Sequence, residues 1–306
     1  MTKHFFLSMA VAILFVGGCK KDKDEALDSK VEQHNRDANT YKSELDQTDN
    51  DINDAIKDIP AFGKTGGTAS SPLCGCTIDS SQIAQKILFF NFDGVTPCFS
   101  PSRTRSGQIK VQLTQGQYWS NVGSVLTLTF NNYKITRLSD NRSIQFNGTK
   151  TLQNINGNDW LGFLFGTKTL KYRERALNIA VKFDDGSQAT WNSARITEWS
   201  YVPAETKIVF NASGDTTYNG VGNTDSWGTN RYGNSFVTFY NSAIVSNTYC
   251  GLWRPVSGKI THRLDRDFII TFGVDQQGNA TPYACAYGFK INWEANNKTQ
   301  EVILSY

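Results

Sequence analysis

LNIAVKFDDGSQATW, residues 177–191, decides the fold class. Leu177, Ile179, Val181 and Phe183 alternate with polar or small residues, the period of a strand with one buried face. Asp185-Gly186 then suits a tight reversal, because glycine takes positive φ without steric cost. The chain continues as a second strand over residues 188–199, so the stretch is read as a β-hairpin.

The same alternation spreads outward from this hairpin. Ile109, Val111 and Leu113 carry it, as do Leu126, Leu128 and Phe130, and Leu161, Phe163 and Phe165. Residues 86–93 are rich in aromatics, and further strands are predicted at 206–210, 235–240, 259–264, 267–272, 286–293 and 301–305. Asn and Gly cluster between them, at 219–223, 230–234 and 276–279. Many short strands and polar turns predict an all-β head over 83–306, an antiparallel β-sandwich or barrel-like domain. Ser106-Gly-Gln-Ile109 echoes Ser257-Gly-Lys-Ile260, but the neighbouring segments occur in a different order, which argues against duplication.

Before the head the period changes. Residues 25–59 hold no Gly or Pro, and Leu27, Val31, His34, Ala38, Tyr41, Leu45, Thr48, Ile52, Ala55 and Ile59 recur in steps of four and three. That is a narrow stripe on one long α-helix, about 50 Å at 1.5 Å per residue, stopped by Pro60 and the glycines of 63–67. Residues 19–60 are accordingly read as a charged tether and amphipathic helical stalk, and 61–82 as a linker. Three roles stay open: zipping to another helix, lying along the β domain, or spacing it from a membrane. His, Thr and two Ala make a weak seam, which favours the last two over an obligate coiled coil. His34 is read as a stripe residue and not a ligand.

Charge divides at the same boundary. Residues 20–59 hold seven Lys or Arg against twelve Asp or Glu. Lys3 is the only charge before them and the whole chain is +3, so residues 60–306 carry a net +7. An acidic stalk under a basic head is compatible with polyanionic partners, but no nucleic-acid motif occurs.

Residues 1–18 have the parts of an export signal: Lys3 and His4, an apolar run over 5–16 too short to span a bilayer, then Gly17-Gly18-Cys19. Small residues before a cysteine form a lipobox, so Cys19 is the expected lipidation site and the membrane the expected partner. The localisation expected is the cell envelope, as an outer-membrane lipoprotein facing the periplasm or the surface. Residues 20–25 (KKDKDE) read either as a surface-export signal or as a solvated spacer.

Five cysteines follow Cys19, and an exported protein meets an oxidising compartment. Cys74 and Cys76 are too close to pair with each other. The expected disulfides are Cys76 with Cys98 and Cys250 with Cys285, leaving Cys74 free or in place of Cys76. A Cys-x-Cys metal site lacks further ligands, since His262 is the one histidine left in the head, so neither metal nor cofactor is expected.

Cys76-Thr-Ile-Asp79, Phe90-Asn-Phe-Asp-Gly94, Arg103-Thr-Arg-Ser-Gly-Gln-Ile109, Gly123 to Tyr133, Phe146-Asn-Gly-Thr-Lys-Thr151, Gly186 to Trp191, Arg231 to Asn234, Cys250-x-x-Trp253 and Ser257-Gly-Lys-Ile260 follow one another in this order. In this the chain resembles a family of uncharacterised β-rich Bacteroidota lipoproteins, over most of residues 74–290. The resemblance implies fold, location and cysteines near these positions; it brings no activity and no catalytic residues. Cys74 and the spacing before Cys285 depart from the family pattern.

Catalysis needs a positioned acid, base or nucleophile. No G-x-S-x-G, H-E-x-x-H, phosphate-loop or dinucleotide motif occurs. His262 reads as a strand surface residue, Asp184-Asp185 as turn chemistry, and Asp265 and Asp267 as a charged cluster with Arg263 and Arg266. Asp93 completes the carboxylates available for glycoside hydrolysis. Seven tryptophans, at 119, 160, 191, 199, 227, 253 and 293, offer flat faces for sugar stacking, and Trp119 and Trp227, in Gly/Asn-rich surroundings, are the ligand-binding candidates. Trp253 reads as packing on a disulfide. The function expected is a lipid-anchored, non-catalytic binding or scaffolding module. The alternatives are a glycan-binding or glycan-hydrolysing surface lipoprotein, and a subunit of an envelope complex docking through the heptad helix.

Overall fold

The computed structural model describes residues 28–57, 59–63, 73–98, 102–158, 160–251, 254–281 and 285–306. The signal segment, Cys19 and Trp253 lie outside them. Helix α1 (Ser29–Ile56) comes first, followed by β1 (Cys76–Asp79), β2 (Ile87–Asp93), β3 (Arg103–Gln115), β4 (Val125–Arg137) and β5 (Ser143–Asn154). A short helix α2 (Trp160–Leu164) precedes β6 (Leu170–Phe183), β7 (Gln188–Val202), β8 (Lys207–Gly214), β9 (Thr216–Tyr218) and β10 (Val221–Thr229). The chain ends with β11 (Ser235–Asn247), β12 (Ser257–Arg263), β13 (Asp267–Val274), β14 (Gly288–Ala295) and β15 (Lys298–Ser305).

All fifteen strands belong to one antiparallel sheet, β1 to β7, then β10 to β15, each beside the next. β8 and β10 share one row between β7 and β11: residues 190–193 of β7 pair with β10 and 195–202 with β8. The sheet is barrel-like, its concave face wrapped on α1. Val31, His34, Tyr41, Leu45, Thr48, Ile52 and Ala55 of the helical stripe are all buried. Tyr41, Leu45 and Ile52 join a core with Leu88, Ile109, Leu128, Phe146 and Trp191, while Val31 joins a second one with Tyr240, Phe272 and Trp293.

Of the three roles left open for the helix, lying along the β domain is the one seen. The stripe is spent on the sheet and does not face another helix. The stalk and head are therefore one packing unit, and the supposed linker 61–82 contains both β1 and Phe62, which is fully buried. The backbone carbonyl of Phe62 accepts from the Trp119 N–H at 2.8 Å, tying the end of the helical segment to the β3–β4 turn.

Leu161, Phe163 and Phe165 do not form a strand. They lie on α2 and the turn after it, with the Phe165 N–H donating to the Leu161 carbonyl at 3.0 Å. Leu161 and Phe165 are exposed and only Phe163 is buried, so the apparent period of two is accidental.

A sheet this long wraps a helix only if its strands bend midway, and bulges supply the bend. Register shifts interrupt β3–β4, β4–β5, β5–β6 and β6–β7 near their middles. Asn132 and Asn178 take positive φ there, and each has its N–H capped by an asparagine of the next strand, Asn147 at 2.7 Å and Asn192 at 2.9 Å. Gly107 and Gly258, the echoed Ser-Gly pairs, do one job: both have positive φ, and a Cβ there would approach Asn132 O at 2.2 Å or Ile244 Cα at 2.7 Å. The echo marks a repeated bulge device, with no duplicated domain.

The disulfides are Cys74–Cys98 and Cys250–Cys285, with Cys76 free. Cys74 thus takes the place expected of Cys76, because Cys76 opens strand β1 opposite Phe92 and packs against the core. Each bridge closes a loop worth about 3–4 kcal/mol in the chain-entropy treatment. Burial pushes the Cys76 thiol up to about 12. Peptide mapping of non-reduced protein is expected to recover both bridges, and Cys76 is expected to alkylate slowly at pH 8 until the fold is denatured.

Candidate functional site

The interface between helix and sheet is ionic as well as apolar. On α1, Asp37 pairs with Arg231 at 2.7 Å, Asp49 with Lys150 at 2.6 Å and Asp51 with Arg105 at 2.5 Å. Glu44 pairs with Arg103, and Asp46 with Arg195. The acids come from the helix; the bases come from β3, β5, β7 and the turn after β10. The acidic stalk and basic head are therefore two halves of one docking pattern, and these five cations face inward. Sliding the helix by one turn, about 5.4 Å, would separate all five pairs, so the pattern fixes its register; buried pairs specify geometry more than they add stability.

At the centre Lys150 is almost completely buried, and Glu174 of β6 lies between it and Arg195, 3.8 and 2.8 Å away. Ser193 also donates to Glu174, at 2.8 Å. Burial would raise the Glu174 carboxyl, but the Arg195 and Lys150 charges outweigh it and bring it to about 2. Burial dominates at Asp49, raised to about 6 despite Lys150. The carboxylates of Asp46, Asp49 and Glu174 converge within 4.8 Å, as metal ligands would. Lys150 and Arg195 already neutralise them, so the donor set fits an ion-pair network better than a cation site.

Above this network lie two histidines. His34 is fully buried, stacked on Trp191 at 5.9 Å, 4.8 Å from Phe236 and edge-on to His262 at 5.3 Å. Neither ring nitrogen of His34 has a hydrogen-bond partner, and burial lowers it to about 4. His262 is also buried, contrary to its reading as a surface residue, because its phase on β12 turns it inward. It shares a 2.6 Å hydrogen bond with Thr238, and burial, with His34 and Lys42 nearby, lowers it strongly. Lys42 donates to the Tyr240 hydroxyl at 2.6 Å, which donates to Asp225 at 3.1 Å. Lys42, Asp225, Thr238, Tyr240 and His262 line a space of about 50 Å³, enough for water and too small for a substrate.

The larger opening is a groove of about 700 Å³ along the N-terminal half of α1. One wall is Ile135, Ile144 and Phe183, cross-strand neighbours on β4, β5 and β6. The other is Phe289 and Ile291 of β14 with Leu304 of β15. Charges of both signs rim it: Glu32, Arg36, Arg137, Arg142, Asp184 and Asp185. The volume falls in the usual range for binding sites, about 300–1,000 Å³.

The sequence candidates fare unevenly. Trp119 is 3 % exposed, its indole N–H donates to Asn53 at 2.6 Å and its ring stacks on Tyr172. It has no face for a sugar, and its assignment as a ligand platform is withdrawn. Trp227 is half-buried and stacks on Tyr218, centroids 5.0 Å apart. Asp185 is turn chemistry, accepting from the Ser187 N–H at 2.9 Å, and Asp267 pairs with Arg263 at 2.7 Å. Asp93 accepts from the N–H groups of Val95 and Thr96 in its own turn. Among known proteins, the chain matches no protein-family model, no curated protein and no solved structure.

Proposed function

We propose that the chain is a lipid-anchored cell-envelope protein, attached through Cys19, that works as a non-catalytic binding or scaffolding module with the groove as its site. The observation that carries this is the groove itself: an open space of about 700 Å³ with apolar side chains on both walls and mixed charge at the rim. Buried Asp37, Asp49 and Glu174 are engaged by Arg or Lys, buried Asp225 accepts from Tyr240, and the buried histidines contact aromatic rings and a threonine, so the interior chemistry is spent on holding the helix. The lipobox at residues 16–19 supports the anchor. Docking through the heptad stripe is disfavoured, because that stripe is buried. The glycan reading rests on Trp227 alone.

A photo-cross-linking amino acid placed at Ser143, on the groove, and at Val95, away from it, tests the reading in cells. The expected result is a discrete adduct at 143 and none at 95. No adduct at 143, or equal adducts at both, overturns it. A panel of envelope polysaccharides with the Trp227→Ala variant tests the glycan alternative.

A further inference from the structure

We propose that the groove accepts an extended segment of another polypeptide, which adds to the sheet as a further strand on the free edge of β15. This rests on the binding reading above and names the class of partner. β15 pairs with β14 along its whole length, from Gly288↔Ser305 to Ala295↔Lys298, and with no other strand among the described residues. Its outer edge therefore presents a row of backbone donors and acceptors at strand spacing. Only another extended polypeptide supplies the complementary row; an acyl chain offers no donors, and a sugar offers hydroxyls at the wrong repeat.

The two ends of the sheet differ in how they are finished. β1 is four residues long, and the Cys74–Cys98 bridge ties down the chain just before it. β15 has eight residues, no proline, an unbroken register with β14 and no fully buried residue. Natural sheets blunt an edge left idle with short strands, bulges, proline or charged side chains. β1 is blunted; β15 is regular and, among the described residues, open, with its charges, Lys298 and Glu301, confined to its first half.

The edge also leads into a prepared surface. Leu304 on β15, with Phe289 and Ile291 beside it, lines one side of the groove, and Ile135, Ile144 and Phe183 face them across it. A strand laid on β15 turns every second side chain toward that space. The rim carries charges of both signs, so the groove selects for alternating apolar residues and not for net charge.

The test is selection of a random peptide library on the full chain, followed by amide exchange with the best binder. The expected result is enrichment of sequences with apolar residues at every second position. The bound peptide should slow exchange at alternate amides of 298–305, and N-methylating it along one edge should weaken binding about tenfold or more. Four results overturn the proposal: no enrichment, protection elsewhere, equal binding of the N-methylated peptide, or a β15 edge already protected in a dimer of the chain. The N-methylated peptide needs no variant of the protein and so is free of folding artefacts. If the cross-link at 143 forms to a lipid or glycan, strand addition fails while the binding reading survives; if no cross-link forms, the binding reading fails as well.

Discussion

Lys150→Met is expected to destabilise the protein by about 3–5 kcal/mol, the cost of leaving a buried charge without its partner. Lys150 is 1 % exposed and holds Asp49 at 2.6 Å and Glu174 at 3.8 Å. Methionine fills a similar volume, so the loss is electrostatic and not a cavity effect. For a chain of this size the melting temperature should fall by roughly 6–20 °C. The deficit has a signature in pH. Asp49 already titrates near 6, and without Lys150 its carboxyl rises further. Below that value it takes a proton and the uncompensated charge disappears, so wild type and variant should converge as the solution is acidified from pH 7 to 5. Adding Asp49→Leu should recover at least half of the loss. Denaturant unfolding at the two pH values measures all three effects, and a Lys150→Met cost within 1 kcal/mol of zero contradicts the network.

His34→Phe is expected to flatten the acid limb of the stability curve. His34 sits near 4 in the fold against 6.5 when unfolded, because burial disfavours the imidazolium. Between those values the unfolded chain binds the proton and the folded chain does not, so stability falls as pH drops from 6.5 toward 4. The full loss from this one residue is about 3 kcal/mol. His262, also lowered, pushes the same way. Asp49, raised to about 6, pushes the other way, since its proton favours the fold. Comparing wild type with His34→Phe cancels the contribution of Asp49, and that of His262 apart from the part due to the His34 charge itself. Phenylalanine keeps the ring against Trp191 and Phe236 and needs no hydrogen bond. The difference in unfolding free energy between pH 7 and pH 4.5 should shrink by about 2–3 kcal/mol. An unchanged difference places the protonatable group elsewhere.

Much of this fold was legible in the residues. The hairpin at 177–191 reads correctly from its alternation and its Asp-Gly turn, and the helix reads correctly from a stripe that includes Val31, Tyr41, Leu45 and Ile52. What the stripe does not reveal is its partner, because a seam for a second helix and a seam for a concave sheet require the same spacing. The ionic interior had a signal that period alone passes over. Glu174 falls in phase with Leu170, Tyr172 and Ala176, and Lys150 with Leu152, which places charged groups on the buried face. Opposite charges in helix and head are what make that phase tolerable. The groove was not legible, since its walls come from β4–β6 and β14–β15, brought together only by curling of the sheet. Leu161, Phe163 and Phe165 mislead because three apolar residues at alternate positions also fit one helical turn.

The central claim is that α1 is the core of the β domain, clasped by the curled sheet. Hydrogen–deuterium exchange of the intact protein tests it most directly. Amides of residues 31–56 should be protected to the same degree as those of β4, β5 and β6, and should open with them in one cooperative step. Helix amides that exchange within seconds while the sheet stays protected would contradict the account.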